Sequence, residues 1–188
     1  MKMLNKFRGN RLFIGIEIPD SLRQEIDVFR KKHEQLNGVK WVKLENLHIT
    51  VSFFGKVPRE MLPNLLEMIR VVLLETDPFE LTIDGYALGP DSRNARMIWI
   101  KWKKNSQFKD LSQRIHRLYC QIDPSHQQRK SPVPHITIAR FKDFERFDEL
   151  KLQTPMYTTH IHVDRLVIWN SILSEDGPTY LPVTTYAL

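Results

Sequence analysis

A chain of 188 residues and 22.3 kDa, 41% hydrophobic and 27% charged, carries enough apolar matter for a core and too much charge to sit inside a bilayer. Its net charge of +6 and pI near 9.5 point weakly to a polyanionic partner such as RNA. The single cysteine, Cys120, excludes an intramolecular disulfide and a cysteine-built zinc site. With no signal-peptide pattern and no membrane-length apolar run, a cytoplasmic protein is expected.

Residues 12–18 form an apolar run rich in Ile and Phe, bounded by Pro19, and read as a strand. Ser21 with Gln24 three residues on has the capping-box pattern, so a helix is expected to start there. Leu22, Ile26, Phe29 and Leu36 line one helical face, and Asn37-Gly38 ends it. Strands are expected at 39–44 and 48–54, with Gly55 as the following turn. Pro58 sits where a second helix begins, its buried stripe being Leu62, Leu65, Leu66, Ile69 and Leu73. A strand at 79–88 and a polar loop at 89–95 follow.

The order then recurs. A strand is expected at 97–102. Ser106 opens a helix with Phe108, Leu111, Ile115, Leu118 and Ile122 on its apolar side. After a loop at 123–134 come a strand at 135–141, a short helix at 144–152, a long strand at 158–169 and a closing strand at 179–186. Arg11 precedes His48 by 37 positions and Met97 precedes His135 by 38. Two such matched units imply a single α+β domain that is bilobal, its halves running roughly 11–92 and 93–188 and related by a pseudo-two-fold axis. Each half would be an antiparallel sheet with helices on its outer face, and the cleft would lie between the lobes.

His48-Ile49-Thr50-Val51 and His135-Ile136-Thr137-Ile138 are near copies at matching places in the two units. In a strand, residues i and i+2 share a face. His48 therefore shares a face with Thr50, and His135 with Thr137, while the intervening apolar residues anchor each strand in a core. Phosphodiester cleavage needs a base to deprotonate the nucleophile and an acid to protonate the departing oxygen, on opposite sides of phosphorus. One histidine from each lobe meets that requirement, since an unperturbed imidazole titrates near 6.5. Each threonine hydroxyl can bind a non-bridging phosphate oxygen. No metal is required. The residues alone do not say which histidine is acid and which is base.

The paired motifs resemble those of the two-histidine phosphoesterases, and within them the bacterial and archaeal RNA 2′,3′-cyclic phosphodiesterases, also called 2′-5′ RNA ligases. The resemblance covers nearly the whole chain: Arg11-Leu12-Phe13-Ile14, Trp41-Val42, Glu45-Asn46-Leu47-His48-Ile49-Thr50, Phe53-Phe54-Gly55, Pro134 to Arg140 around the second motif, and Gly177-Pro178-Thr179-Tyr180. It departs at Ser131-Pro132-Val133, where the family usually has an aromatic residue, and at Ser52, where a basic residue is common. The resemblance implies hydrolysis of a terminal 2′,3′-cyclic phosphate to a 2′-phosphate without cofactor. The substrate would be an RNA end or a small cyclic nucleotide, acted on by a monomer with no membrane partner. It implies His48 as general acid, His135 as the base that activates water, and Thr50 and Thr137 as phosphate contacts.

Other cyclic phosphates, 2′-5′ linkages and a binding module without turnover are the alternatives. Arg140 is a candidate substrate contact, but strand parity turns it away from Thr137 unless a bulge intervenes. His160-Ile161-His162 reads as part of a polar sheet face rather than a metal fragment, and Cys120 as a packed small residue. Trp99, Lys101 and Lys103 share one strand face, which suggests either an RNA stripe or one wet side of a strand. For Trp41 and Phe54 core packing is expected.

Overall fold

The computed structural model describes residues 10–90, 95–124, 132–142, 156–175 and 177–188. The expected short helix at 144–152 and most of the two loops lie outside these residues.

The first strand, β1 (Asn10–Glu17), buries Leu12, Ile14 and Ile16 on one face. Helix α1 (Asp20–Lys32) follows, with Leu22, Ile26 and Phe29 buried. Its start differs from the capping-box expectation. Pro19 is the N-cap, in extended conformation, and its carbonyl accepts the first helical bond from the Arg23 amide at 3.1 Å. Ser21 is therefore already inside the first turn, where its hydroxyl cannot close a box. The helix also ends earlier, at Lys32, and Leu36 packs on the core from the turn beyond.

A short strand, β2 (Val39–Trp41), leads through one 3-10 turn (Leu44–Asn46) into β3 (His48–Val57). Gly55 is not the turn after β3: with φ of +69° it lets the strand kink and continue to Val57. Next come α2 (Leu62–Leu74), β4 (Phe79–Gly89), β5 (Met97–Trp102) and α3 (Ser106–Ile122). The N-cap of α3 is Asn105, whose side chain accepts from the Phe108 amide at 2.8 Å. β6 (His135–Phe141) falls where expected.

The expected long strand at 158–169 is two strands, β7 (His160–Val163) and β8 (Arg165–Ser174), broken at Asp164, whose carbonyl accepts from the Leu188 amide. They join different sheets. β9 (Gly177–Ala187) closes the described chain.

Two antiparallel sheets result, in the orders β3-β1-β8-β9 and β2-β6-β5-β4-β7. Each unit keeps its first strand and its histidine strand together, β1 with β3 and β5 with β6. Each sends a later strand across: β4 pairs with β5, and β8 pairs with β1. Helices cross as well. Phe29 of α1 stacks on Tyr86 of β4 and meets Trp41 of β2, so α1 backs the five-stranded sheet. Ser112 of α3 donates to the Val51 carbonyl of β3, and Tyr186 of β9 donates to the Leu66 carbonyl of α2, so α2 and α3 back the four-stranded sheet. One apolar cluster joins the inner faces of both sheets to the helices; Trp41 packs against it and Phe54 is buried within it. The architecture is α+β and bilobal, with the two histidine strands in different sheets.

Candidate active site

The first histidine sits at the start of β3, just past the 3-10 turn that ends at Asn46. Its Nδ1 lies 2.7 Å from the Asn46 backbone carbonyl, and its Nε2 lies 3.0 Å from Thr50 Oγ1. A carbonyl only accepts, so Nδ1 carries the hydrogen and Nε2 of the neutral ring accepts from the threonine hydroxyl. His135 repeats the device: its Nδ1 donates to the Val133 carbonyl at 2.8 Å. Both rings are thus locked in one tautomer, with Nε2 as the nitrogen left to titrate. Burial pulls His48 down to about 4, partly opposed by the Asn46 hydrogen bond and assisted by the charge of His135. Burial also lowers His135, opposed by the Val133 bond and assisted by the charge of Arg140.

A bulge redirects Arg140. Ile98 pairs with Ala139 and Trp99 with Thr137, so Ile138 is an extra residue in β6. Ile138 and Ala139 are both buried, and Arg140 returns to the exposed face. Its guanidinium donates to Met97 Sδ at 3.1 Å, and the Thr137 hydroxyl approaches the same sulfur at 3.9 Å. β3 has the matching bulge, with Ser52 pairing Ile14 and Thr50 pairing Gly15. There the residue five beyond the histidine is Phe53, 61% exposed, with its ring centroid 5.7 Å from that of Phe13.

Aromatic residues line both imidazoles. Trp99 stacks on His135 with centroids 3.9 Å apart and planes 29° apart. Phe13, Tyr180 and Trp169 surround His48 at 4.7, 5.1 and 5.5 Å. Each indole overlies a glycine on the neighbouring strand: a Cβ on Gly89 would collide with the Trp99 ring, and one on Gly15 would meet Trp169 Cζ3 at 3.2 Å. The strands are exchanged between the lobes, for Trp99 is on β5 over β4, whereas Trp169 is on β8 over β1. Tyr180 arrives because β8 leaves β1 after Asn170 and the β8–β9 hairpin folds back toward the first histidine. There the Pro178 carbonyl accepts from Asn46 Nδ2 at 2.8 Å.

Two imidazoles of fixed tautomer, two nearby hydroxyls and one arginine form an arrangement suited to moving protons around an anion. The family model described as the 2'-5' RNA ligase superfamily matches residues 18–173, which include both histidine strands. The chain belongs to the 2'-5' RNA ligase superfamily. A superfamily relative from Methanocaldococcus jannaschii named "RNA 2',3'-cyclic phosphodiesterase" is 29% identical over 177 residues, covering 90% of this chain and 96% of the relative. One of the same name from Aquifex aeolicus is 24% identical over 182 residues, covering 95% and 97%. The crystal structure of Escherichia coli LigT complexed with 3'-AMP superimposes with a TM-score of 0.81 at 22% identity, over 96% of this chain and 99% of the other. That likeness shows that the superfamily fold spans the chain.

Within this superfamily member, His48, Thr50, His135, Thr137 and Arg140 all lie on the sheet faces turned away from the core. Trp99, Trp169 and Tyr180 were not among the expected site residues. The alternation places Trp99 on one face with Lys101 and Lys103, but nothing in its spacing shows that its ring lies on His135. His160 and His162 lie elsewhere. His162 Nδ1 is 2.7 Å from Glu80 Oε1 on the neighbouring strand, and His160 is exposed beside it, both on a polar sheet face. Lys101 stands opposite His135 across the β5–β6 pair, and its ammonium reaches Asp84 at 4.0 Å. Cys120 is partly buried on α3, with its Sγ 3.4 Å from His116 Nε2. Among the described residues no helix is long and apolar enough to cross a membrane.

Proposed function

We propose that this protein hydrolyses RNA 2′,3′-cyclic phosphate ends to 2′-phosphates by general acid–base catalysis, with no metal or other cofactor. The observation that carries the reading is the doubled device: one imidazole from each sheet, each with Nδ1 tied to a backbone carbonyl and Nε2 left for proton transfer. The relatives' shared name supports the substrate. In the reaction, water attacks phosphorus and the P–O3′ bond breaks. One imidazole takes the proton from water and the other gives its proton to O3′. The family resemblance assigns the base to His135 and the acid to His48. Thr50 and Thr137 hold non-bridging oxygens, and Arg140 contacts the substrate. The protein acts as a cytoplasmic monomer and a single domain, each half, 11–92 and 93–188, giving one histidine.

The pH dependence follows from the lowered imidazoles. The productive free enzyme holds one proton on the pair. Both groups titrate below the ordinary 6.5, so the pair loses its last proton below that pH. The alkaline limb of kcat/KM should therefore lie below pH 6.5, with activity falling about tenfold per unit above it. A plateau extending beyond pH 8 would contradict this.

Assay of a dinucleotide ending in a 2′,3′-cyclic phosphate tests the function itself. A 2′-phosphate product at an undiminished rate after exhaustive EDTA treatment is expected. A 3′-phosphate product, strict metal dependence, or tight binding without turnover would overturn the reading.

A further inference from the structure

Beside Arg140, across the β2–β6 pair, stands Lys40. Trp41 and Val39 pack toward the core, so Lys40 points to the opposite face. Phe141 and Ala139 are likewise core residues, which puts Arg140 on that same face, the one carrying His135 and Thr137. Two cations thus face each other directly across an antiparallel pair, where Cβ atoms lie about 5 Å apart and like charges repel. Nothing among the described residues offsets the repulsion with a carboxylate. Among the described residues Arg140 is anchored by a thioether sulfur, a weak acceptor that leaves most of its N–H groups open. The fold does not impose this cation, because the matching position after the bulge in β3 holds Phe53. An anion between Lys40 and Arg140 would relieve the repulsion, and a guanidinium fork beside an ammonium is suited to a phosphate.

His135 and Arg140 are about 13 Å apart along the β6 backbone, allowing for the bulged residue. The long side chains of Lys40 and Arg140 can span part of that gap. A cyclic phosphate held by the histidines therefore leaves Lys40 and Arg140 to a second phosphate of the same substrate.

We infer that Lys40 and Arg140 form a subsite for the phosphate on O5′ of the terminal nucleotide, so that the preferred substrate is an oligonucleotide end rather than a nucleoside cyclic phosphate. The inference rests on the proposed hydrolysis at the paired histidines. It makes Lys40 a specificity residue, acting on the phosphate one step upstream of the bond that breaks.

The test compares three substrates: adenosine 2′,3′-cyclic phosphate, its 5′-phosphorylated form, and a dinucleotide with a 2′,3′-cyclic end. The second and third should exceed the first in kcat/KM by about tenfold or more. In Lys40→Ala and Lys40→Glu that preference should collapse to within about twofold of unity, while Lys40→Arg should keep it. The preference for the dinucleotide should also lose salt dependence worth about one phosphate contact in Lys40→Ala. A preference for the 5′-phosphorylated nucleotide but not the dinucleotide would overturn the oligonucleotide assignment. A preference that survives Lys40→Glu, or none in the unaltered protein, would overturn the subsite. Should no substrate turn over, the proposed hydrolysis fails by itself. The affinities of a dinucleotide 2′-phosphate and of adenosine 2′-phosphate for the unaltered protein and Lys40→Glu then decide the subsite by the same ratio.

Discussion

Replacing His48 or His135 with alanine is expected to lower kcat on a cyclic-phosphate dinucleotide by about 10²-fold or more, the scale of a positioned general acid or base. The two losses should not add. Once one member of an acid–base pair is gone, the other has no concerted step to serve, so the double variant should be little worse than either single. Steady-state assays of the three variants, with circular dichroism to verify folding, check this. Turnover within about threefold of the unaltered protein in either single variant would remove that histidine from the chemistry. The comparison also bears on the assignment of roles. The variant lacking the base should lose the acid limb of its pH profile, and the one lacking the acid should lose the alkaline limb.

Gly89→Ala is expected to be damaging although the side chain added is one methyl group. The new Cβ would collide with the ring of Trp99, on which the His135 ring stacks at 3.9 Å. Overpacking of this kind costs about 1–3 kcal/mol of stability. The larger effect should be on catalysis: an indole forced off its strand pushes the imidazole with it, and about 1 Å of misplacement can cost about 10²-fold in rate. A smaller ring should relieve the collision, so Gly89→Ala combined with Trp99→Phe should recover activity relative to Gly89→Ala alone. An active Gly89→Ala protein, or a double variant that shows the plain product of the two single effects, would mean that Trp99 does not set the imidazole's position.

Much of the site can be read from the alternation of single strands. Histidine and threonine at i and i+2, with isoleucine between them, can face only one way once the apolar residues are buried, and the structure buries Ile49 and Ile136 completely. Arg140 could not be placed so simply. One inserted residue flips every side chain beyond it, and nothing in the composition of Ile138-Ala139 distinguishes a bulge from regular strand. The break at Asp164 falls where two consecutive exposed residues, Asp164 and Arg165, interrupt the alternation of Ile161 and Val163, but that interruption does not say that the chain moves from one sheet to the other. Trp99 and Trp169 belong to a further class. Their roles depend on which strand lies alongside, and pairing between distant segments leaves no local pattern. At the start of α1, Ser21 and Gln24 have the spacing of a box, whereas Pro19 supplies the first helical acceptor two residues earlier.

The exchange of β4 and β8 between the sheets makes the molecule resemble a swapped dimer whose two copies have been joined into one chain. A ribosome releasing it from the N-terminus delivers β1 long before the strand that covers its open edge, since Leu12 waits for Asn170. The first histidine strand thus has no completed sheet until nearly the whole polypeptide exists. Pairings of such long range slow folding. They also mean that a nascent fragment holding only the first motif cannot finish the surface on which that motif would work.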